Sequence, residues 1–231
     1  LKYIKKYKMK KYSIIIPTMW MSSHLFKMLD FYEENELIQE VIIIDNAPEK
    51  GQPIPKQLSK LKLHTKGKNI YVNPAWNFGV SLAISDYIII ANDDILFNKK
   101  DFDELLNKSF EFLNENTIIG PSMYCFKQNP ENYSLRYNGL KIEKLNVGFT
   151  YGFGTFMIMK KNSYTIIPDD ILIFHGDVIQ HRTNDVFLFS GIEIDTPMSV
   201  TLKSDPQIHN LAKLDHAKSL KYDVKKLIKF K

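Results

Sequence analysis

Three short apolar runs of β-branched residues dominate the first hundred positions. Tyr12–Thr18 reads Tyr-Ser-Ile-Ile-Ile-Pro-Thr, residues 41–44 read Val-Ile-Ile-Ile, and Tyr87–Ala91 reads Tyr-Ile-Ile-Ile-Ala. Runs this short and continuously apolar suit strands buried on both faces of a mostly parallel sheet. Each stops abruptly in polar or turn residues: Pro17-Thr18, Asp45-Asn46 and Asn92-Asp93-Asp94. Between the first two runs, Leu25, Phe26, Met28, Leu29 and Tyr32 recur at helical spacing. Ser22 or Ser23 can cap that helix, which is expected to reach about Glu34. A Pro- and Gly-marked loop over residues 51–55 and a Lys-rich stretch lead to Ile70-Tyr71-Val72, read as a short strand. Pro74 is then expected to open a helix at its first position, where its missing amide costs nothing. On that helix Trp76 is assigned to packing, Asn77 to the ligand side, and Gly79 to close approach of helix and strand.

The later pattern is more varied. Residues 101–113 read as an amphipathic helix with Asp103 and Glu104 near its positive end. Thr117–Pro121 is a further strand. From Tyr133 the pattern alternates, and Asn138-Gly139 is a hairpin signal. Gly148-Phe149-Thr150-Tyr151-Gly152-Phe153-Gly154-Thr155 is a glycine-rich loop running into the strand Phe156–Lys160. Pro168-Asp169-Asp170 is expected to end a short helix, and a buried run over 171–174 ends in His175-Gly176-Asp177. Asp177 would stand at a helix N-terminus, where free amides and the dipole would hold it ionised. Leu211, Leu214, Leu220, Val224, Leu227 and Ile228 among lysines predict an amphipathic helix over 211–231. The whole is an α/β chain: a mixed, mostly parallel central sheet flanked by helices, with a smaller antiparallel portion.

Composition narrows the setting. The chain has 231 residues, 44% hydrophobic and 25% charged, enough for one large domain of ordinary globular make-up. Cys125 is the single cysteine, which excludes an internal disulfide and favours a reducing, cytoplasmic setting. The net charge of +5 is uneven: residues 1–11 carry six Lys, and 203–231 carry eight Lys against Asp205, Asp215 and Asp223. Basic ends on an acidic body do not make a nucleic-acid-binding face. They fit solubility or peripheral contact with a membrane or polyanion.

Chemistry gathers at the strand ends. Asp93 and Asp94 are adjacent carboxylates at the end of a buried strand; they repel and lose hydration there unless a cation or polar ligand compensates them. The plainer alternative is a turn at Asn92-Asp93 with Asp94 or Asp101 capping the next helix. Asp45 and Asn46 can bind a ligand base or simply turn the chain before Pro48. The glycine-rich loop can cradle a sugar or phosphate, or be a twisted turn packed by aromatics; it lacks the ending of a P-loop. Open α/β sheets bind ligands at the edge where these strands end.

In Ser13-Ile14-Ile15-Ile16-Pro17-Thr18, Ile43-Ile44-Asp45-Asn46, Asn73-Pro74-Ala75-Trp76-Asn77-Phe78-Gly79 and Asn92-Asp93-Asp94, taken in order and spacing, the chain resembles nucleotide-sugar glycosyltransferases of the GT-A fold, family 2. The resemblance implies a single glycosyltransferase domain over 12–204, with a nucleotide-binding half (12–100) and an acceptor half (101–204). A basic extension (1–11) would precede it and a basic helical tail (205–231) would follow. It implies transfer of a sugar from a nucleotide-diphosphate donor to a carbohydrate or glycoconjugate hydroxyl, with Mn²⁺ or Mg²⁺ as cofactor. Pro17, Thr18, Asp45, Asn46, Asn77 and Asp93 would form the nucleotide pocket, and Asp93 and Asp94 would hold the metal. Gly152, Gly154 and Thr155 would shape the sugar or acceptor loop. Asp177 would be the base of an inverting displacement. His209 is the late histidine assigned to the metal, with His175, His181 and His216 as competitors. Two positions depart from the family pattern: Asn92 replaces the usual first Asp, and Gly176 replaces the usual Glu before Asp177. Two rival functions are a nucleotidyltransferase, disfavoured by Pro17-Thr18-Met19-Trp20-Met21 where a Gly-rich basic loop belongs, and an inactive sugar-nucleotide-binding module.

Overall fold

The computed structural model describes residues 10–51, 54, 58–127, 139–197 and 207–230, without the side chains of 207, 209 and 212. The alternating segment from Tyr133 and Asn138 of the expected hairpin lie outside the described residues, as do residues 1–9 of the basic extension. An eight-stranded sheet runs through the molecule. Its first half is β1 (Tyr12–Thr18), β2 (Ile38–Asp45), β3 (Leu61–Thr65) and β4 (Tyr87–Ala91), mutually parallel in the order β3-β2-β1-β4. With β5 (Leu96–Phe97), β6 (Thr117–Pro121), β7 (Lys141–Lys144), β8 (Phe156–Lys160) and β9 (Asp185–Ser190) named in chain order, the sheet continues β4-β8-β6-β9-β7. β8 enters antiparallel to both β4 and β6, β6 and β9 are parallel, and β7 closes the edge antiparallel. β5 pairs with β10 (Ile194–Asp195) in a separate two-stranded ribbon.

Two cores explain why the runs over 14–16, 41–44 and 88–90 are apolar at every position. On one face Ile14, Ile16, Val41, Ile43 and Ile89 meet Leu25, Met28 and Leu29 of α1 (His24–Glu34) and Phe102, Leu105 and Leu106 of α3 (Lys99–Ser109). On the other, Ile15, Ile42, Ile44, Ile88 and Ile90 meet Ala75, Trp76 and Val80 of α2 (Val72–Leu82) and Ile179 of α4 (Gly176–Thr183). Successive side chains in a strand point to opposite faces, so both must be apolar when helices cover both. Gly79 lies so close to Ile15 that a Cβ would collide with its side chain, the close approach expected of that position.

Several boundaries differ from the sequence expectation. The Lys-rich stretch is itself strand β3: Leu61 and Leu63 pack against the core while Lys62 reaches out to Glu40. Ile70-Tyr71 forms no strand; Tyr71 has a positive φ (66°) and α2 starts at Val72, which puts Pro74 third in the helix, still within the turn that lacks amide acceptors. Asn98, not Asp94 or Asp101, caps α3 by accepting from Lys100 N. Pro168-Asp169-Asp170 ends no helix, the nearest helical turn being Lys161–Ser163. The C-terminal helix α5 covers Gln207–Ser219 only. After it the chain folds back: Phe230 N bonds Tyr164 O at 2.8 Å, Ile166 N bonds Ile228 O at 2.9 Å, and Tyr222, Leu227 and Phe230 pack on the second core. Among the described residues no helix is long and apolar enough to cross a membrane.

Candidate active site

The C-terminal ends of β1, β2 and β4 lie side by side, and the polar residues that stop these strands meet there. Pro17 sits on β1 beyond Ile15, where the ladder to β4 ends. Thr18 follows it, almost fully buried; its hydroxyl donates to Asp93 Oδ2 at 2.6 Å and accepts from Trp20 N at 2.9 Å. Trp20 is in the left-handed region (φ 61°) and its indole N–H donates to Asp45 Oδ1 at 2.9 Å. The same oxygen accepts from Ala47 N at 2.9 Å, so the turn after β2 and the indole share one acceptor. Asn46 spends its amide on the chain before α2, accepting from Ile70 N at 3.1 Å and donating to Tyr71 O at 3.2 Å.

The acid pair is perturbed as adjacent desolvated carboxylates should be. Burial, with the neighbouring Asp94 charge, pushes Asp93 up to about 6 against the opposing bond from Thr18. Asp94 is also raised, by burial first; its own backbone amide, His24, Thr196 and the Asn92 side chain pull the other way. One of its oxygens, Oδ1, is buried with no hydrogen-bond partner. Asn92, at the departure from the family pattern, thus serves Asp94 directly, and its N–H bonds Thr155 O at 2.9 Å, joining the acid pair to the glycine-rich loop.

That loop reaches Asp177. Gly152 takes the left-handed conformation (φ 76°), and Thr155 closes the turn by donating its hydroxyl to Gly152 O at 2.7 Å. A Cβ on Gly154 would stand 2.8 Å from Asp177 Cβ, so the loop lies directly against the acid. Asp177 is the second residue of α4, and its Oδ1 accepts from Val178 N at 2.9 Å. The helix-end amides do act on it, but burial against the loop has the larger effect: it raises the carboxyl above its ordinary value, outweighing the amides of Val178 and Gly154 and the nearby His175.

Not every expected residue joins the cluster. Asn77 does not face the strand ends; its Oδ1 accepts from Tyr164 Oη at 2.8 Å and Ile167 N at 3.1 Å, and its Nδ2 donates to Ile167 O at 2.7 Å. Both ends of that amide are committed to a loop that sequence reading could not bring there. The side chain of His209 lies outside the described residues. Of its competitors, His181 is wedged between Phe149 and Phe153, and His175 packs its ring 5.1 Å from His216. Among the described residues no three His, Cys, Asp or Glu side chains gather into a metal cage. Asp93 and Asp94 nevertheless fit a cation that a diphosphate also holds: one oxygen lacks a partner and a positive charge would relieve both raised carboxyls. Sequence reading missed Trp20, His24 and Thr196, which have no periodic or motif signal.

Comparison with known proteins bears on the fold and the family. No curated protein matches the sequence. Among solved structures, S. aureus TarS 1–349 superposes with a TM-score of 0.61 at 13% identity, over 92% of this chain and 66% of that one. TarS 1–349 in complex with UDP-GlcNAc gives 0.61 at 13% identity, over 92% and 67%. Longer TarS gives 0.62 at 14% identity, and there the chain spans 40% of its length. The shared fold is the GT-A arrangement that the motif resemblance implied. A model of glycosyl transferase family 2 matches residues 13–168, from β1 through β8 and most of the site built above, and the chain belongs to that family.

Proposed function

We propose that the protein transfers a sugar from a nucleotide-diphosphate donor to a hydroxyl of a carbohydrate or glycoconjugate acceptor, with a divalent cation and with inversion at the anomeric carbon. The observation that carries this reading is the bonded path from donor acids to base: Asp93-Asp94, Asn92 N to Thr155 O, and Gly154 against Asp177. Family membership and the UDP and UDP-GlcNAc complexes of TarS support a uridine nucleotide as the donor carrier.

In this reading Thr18, Asp45 and Trp20 line the nucleotide pocket, while Pro17 and Asn46 hold its walls. Asp93 and Asp94 would bind Mn²⁺ or Mg²⁺, which when present neutralises charge on the leaving diphosphate. Asp177 accepts the proton of the acceptor hydroxyl at its carboxylate, and the raised affinity of that carboxyl for protons makes it a stronger base than an exposed Asp. Gly154 brings the backbone of the loop against that acid, where a Cβ would collide with it. A single displacement needs this one carboxylate on the acceptor side and no nucleophile on the donor side.

A thermal-shift panel of nucleotide sugars, each with and without Mn²⁺, tests the donor class, because selective binding to the native state raises its stability with ligand concentration. Proton NMR of the product of the best-binding donor then reads the anomeric configuration. Stabilisation by no nucleotide sugar, or retention of configuration, refutes the reading.

A further inference from the structure

Residues 171–174 form neither helix nor strand, yet they carry the chain to left-handed His175 (φ 66°) and then to Gly176 and Asp177. Such a segment must find partners for its backbone groups outside regular structure. Two side chains from distant elements supply them. Asp215, fully buried on α5, accepts from Leu172 N through Oδ1 at 2.9 Å, and from Ile173 N and Phe174 N through Oδ2 at 2.7 and 3.0 Å. Asn73, fully buried on α2, donates Nδ2 to the carbonyls of Ile171 at 3.2 Å and Phe174 at 3.0 Å, and its own N–H reaches Leu172 O at 2.9 Å.

The carboxylate gathers the amides and the carboxamide gathers the carbonyls, so the segment is gripped from both sides. Hydrogen bonds to an ionised acceptor are the strong, directional kind. Gly176 completes the fit, since a Cβ there would run into Asn73 Oδ1. Beside Asp215, His216 sets its ring against His175, the residue whose left-handed turn aims the start of α4. Asp215 lies beyond the part of the chain matched by the family model, on a helix whose lysines otherwise mark it as surface.

We propose that Asp215, with Asn73 opposite it, is a positioning residue for sugar transfer: it fixes the backbone of 171–174 and thereby the place of the Asp177 carboxylate. The proposal rests on the reading of Asp177 as the base. Only His175 and Gly176 separate Phe174 from Asp177, so a displaced segment moves the carboxylate with it. Misplacement of a reacting group by about 1 Å costs on the order of 10²-fold in rate.

The test uses the full chain with Asp215→Asn and, because it changes no charge, Asn73→Ser. Carbon-13 NMR of the ligand-free protein follows the titration of the Asp177 carboxyl, calorimetry follows UDP with Mn²⁺, and hydrolysis of UDP-GlcNAc follows turnover. Both variants should bind UDP like the parent, shift the Asp177 titration midpoint, and slow turnover by roughly 10- to 100-fold. Combining Asp215→Asn with Asp177→Asn should give turnover no slower than Asp177→Asn alone, because residues acting as a unit do not contribute independently. An unmoved Asp177 midpoint in Asn73→Ser, or losses that multiply in the double variant, overturns the proposal. Loss of UDP binding in both single variants also overturns it, since that marks a general structural role. Should Asp177→Asn alone turn over at the parent rate, the base assignment fails, and the NMR midpoint still decides whether Asp215 positions that carboxylate.

Discussion

Thr18 at the end of β1 donates its hydroxyl proton to Asp93 at the end of β4, Oγ1 to Oδ2 at 2.6 Å, across 75 residues of sequence. The same oxygen accepts the N–H of left-handed Trp20, so one hydroxyl sets both the carboxylate and the turn that carries the indole. Thr18→Val removes donor and acceptor together. It should cost about 1–2 kcal/mol of stability and push the Asp93 carboxyl further up, because the Thr18 bond is the largest of the effects that oppose burial there. UDP affinity in calorimetry should fall by about tenfold, the equivalent of one such bond, and Thr18→Ser should restore it. Unchanged affinity in Thr18→Val would remove Thr18 from the nucleotide pocket.

Trp20 offers an optical check. The chain has two tryptophans, and Trp76 is buried in the second core at 4% exposure, away from the strand ends. In a Trp76→Phe background the remaining emission comes from Trp20, whose N–H is held by Asp45. Adding UDP should change that emission saturably, and Trp20→Phe in the parent should weaken UDP binding because it leaves Asp45 Oδ1 one donor short. An emission spectrum indifferent to UDP places the nucleotide elsewhere.

The contrast between Thr18 and Trp20 shows what the sequence could carry. Thr18, Asp45, Asp93 and Asp94 were legible because each interrupts a β-branched run at a strand end, and parallel strands bring such ends together. Trp20 reaches its partner through a left-handed backbone and a 25-residue jump, which no periodicity encodes. Asn77 was misassigned because residues 164–167, about ninety positions later, occupy its amide. Asp177 was placed at a helix start from local pattern, correctly. The upward direction of its shift was not legible, because the largest cause, burial against the glycine-rich loop, is a tertiary contact. Asp215 looked like one charge on a basic amphipathic helix; its burial depends on where an irregular segment happens to pass. Strand order and strand ends follow from local apolar pattern, whereas the pairing of polar side chains across loops does not.

Asp94 supplies the metal prediction. Its unpartnered, buried Oδ1 is costly in the ligand-free protein, and a cation shared with the donor diphosphate would satisfy it. Asp94→Asn should abolish the gain in UDP affinity on adding Mn²⁺ while leaving metal-free UDP binding near the parent value. Calorimetry with and without Mn²⁺ separates the two. A Mn²⁺ gain that survives the substitution would assign the cation to other residues.

Asp177 joins stability to catalysis. Its carboxyl is raised in the folded protein by burial, so the native state holds this proton to higher pH than the unfolded chain does. Between the ordinary carboxylate range and the raised folded value the native state therefore binds more protons, and stability falls as pH rises through that window. The favourable contribution is fully present below the unfolded value and is lost as pH rises through the raised folded value, above which ionised Asp177 remains desolvated. Asp177→Asn, neutral at every pH, should then be more stable than the parent in denaturant at pH 7.5, with the difference shrinking toward pH 4. The same substitution removes the proton acceptor, and loss of a positioned base typically costs about 10²- to 10⁴-fold in rate. Donor affinity should be unchanged, since the role proposed for the acid is toward the acceptor hydroxyl and not the donor. In the parent, the acidic limb of the rate profile should lie above the pH of an exposed Asp, because the base must be ionised to accept the acceptor's proton. A variant that is faster than this, or no more stable at neutral pH, breaks the link between desolvation of Asp177 and its role as base.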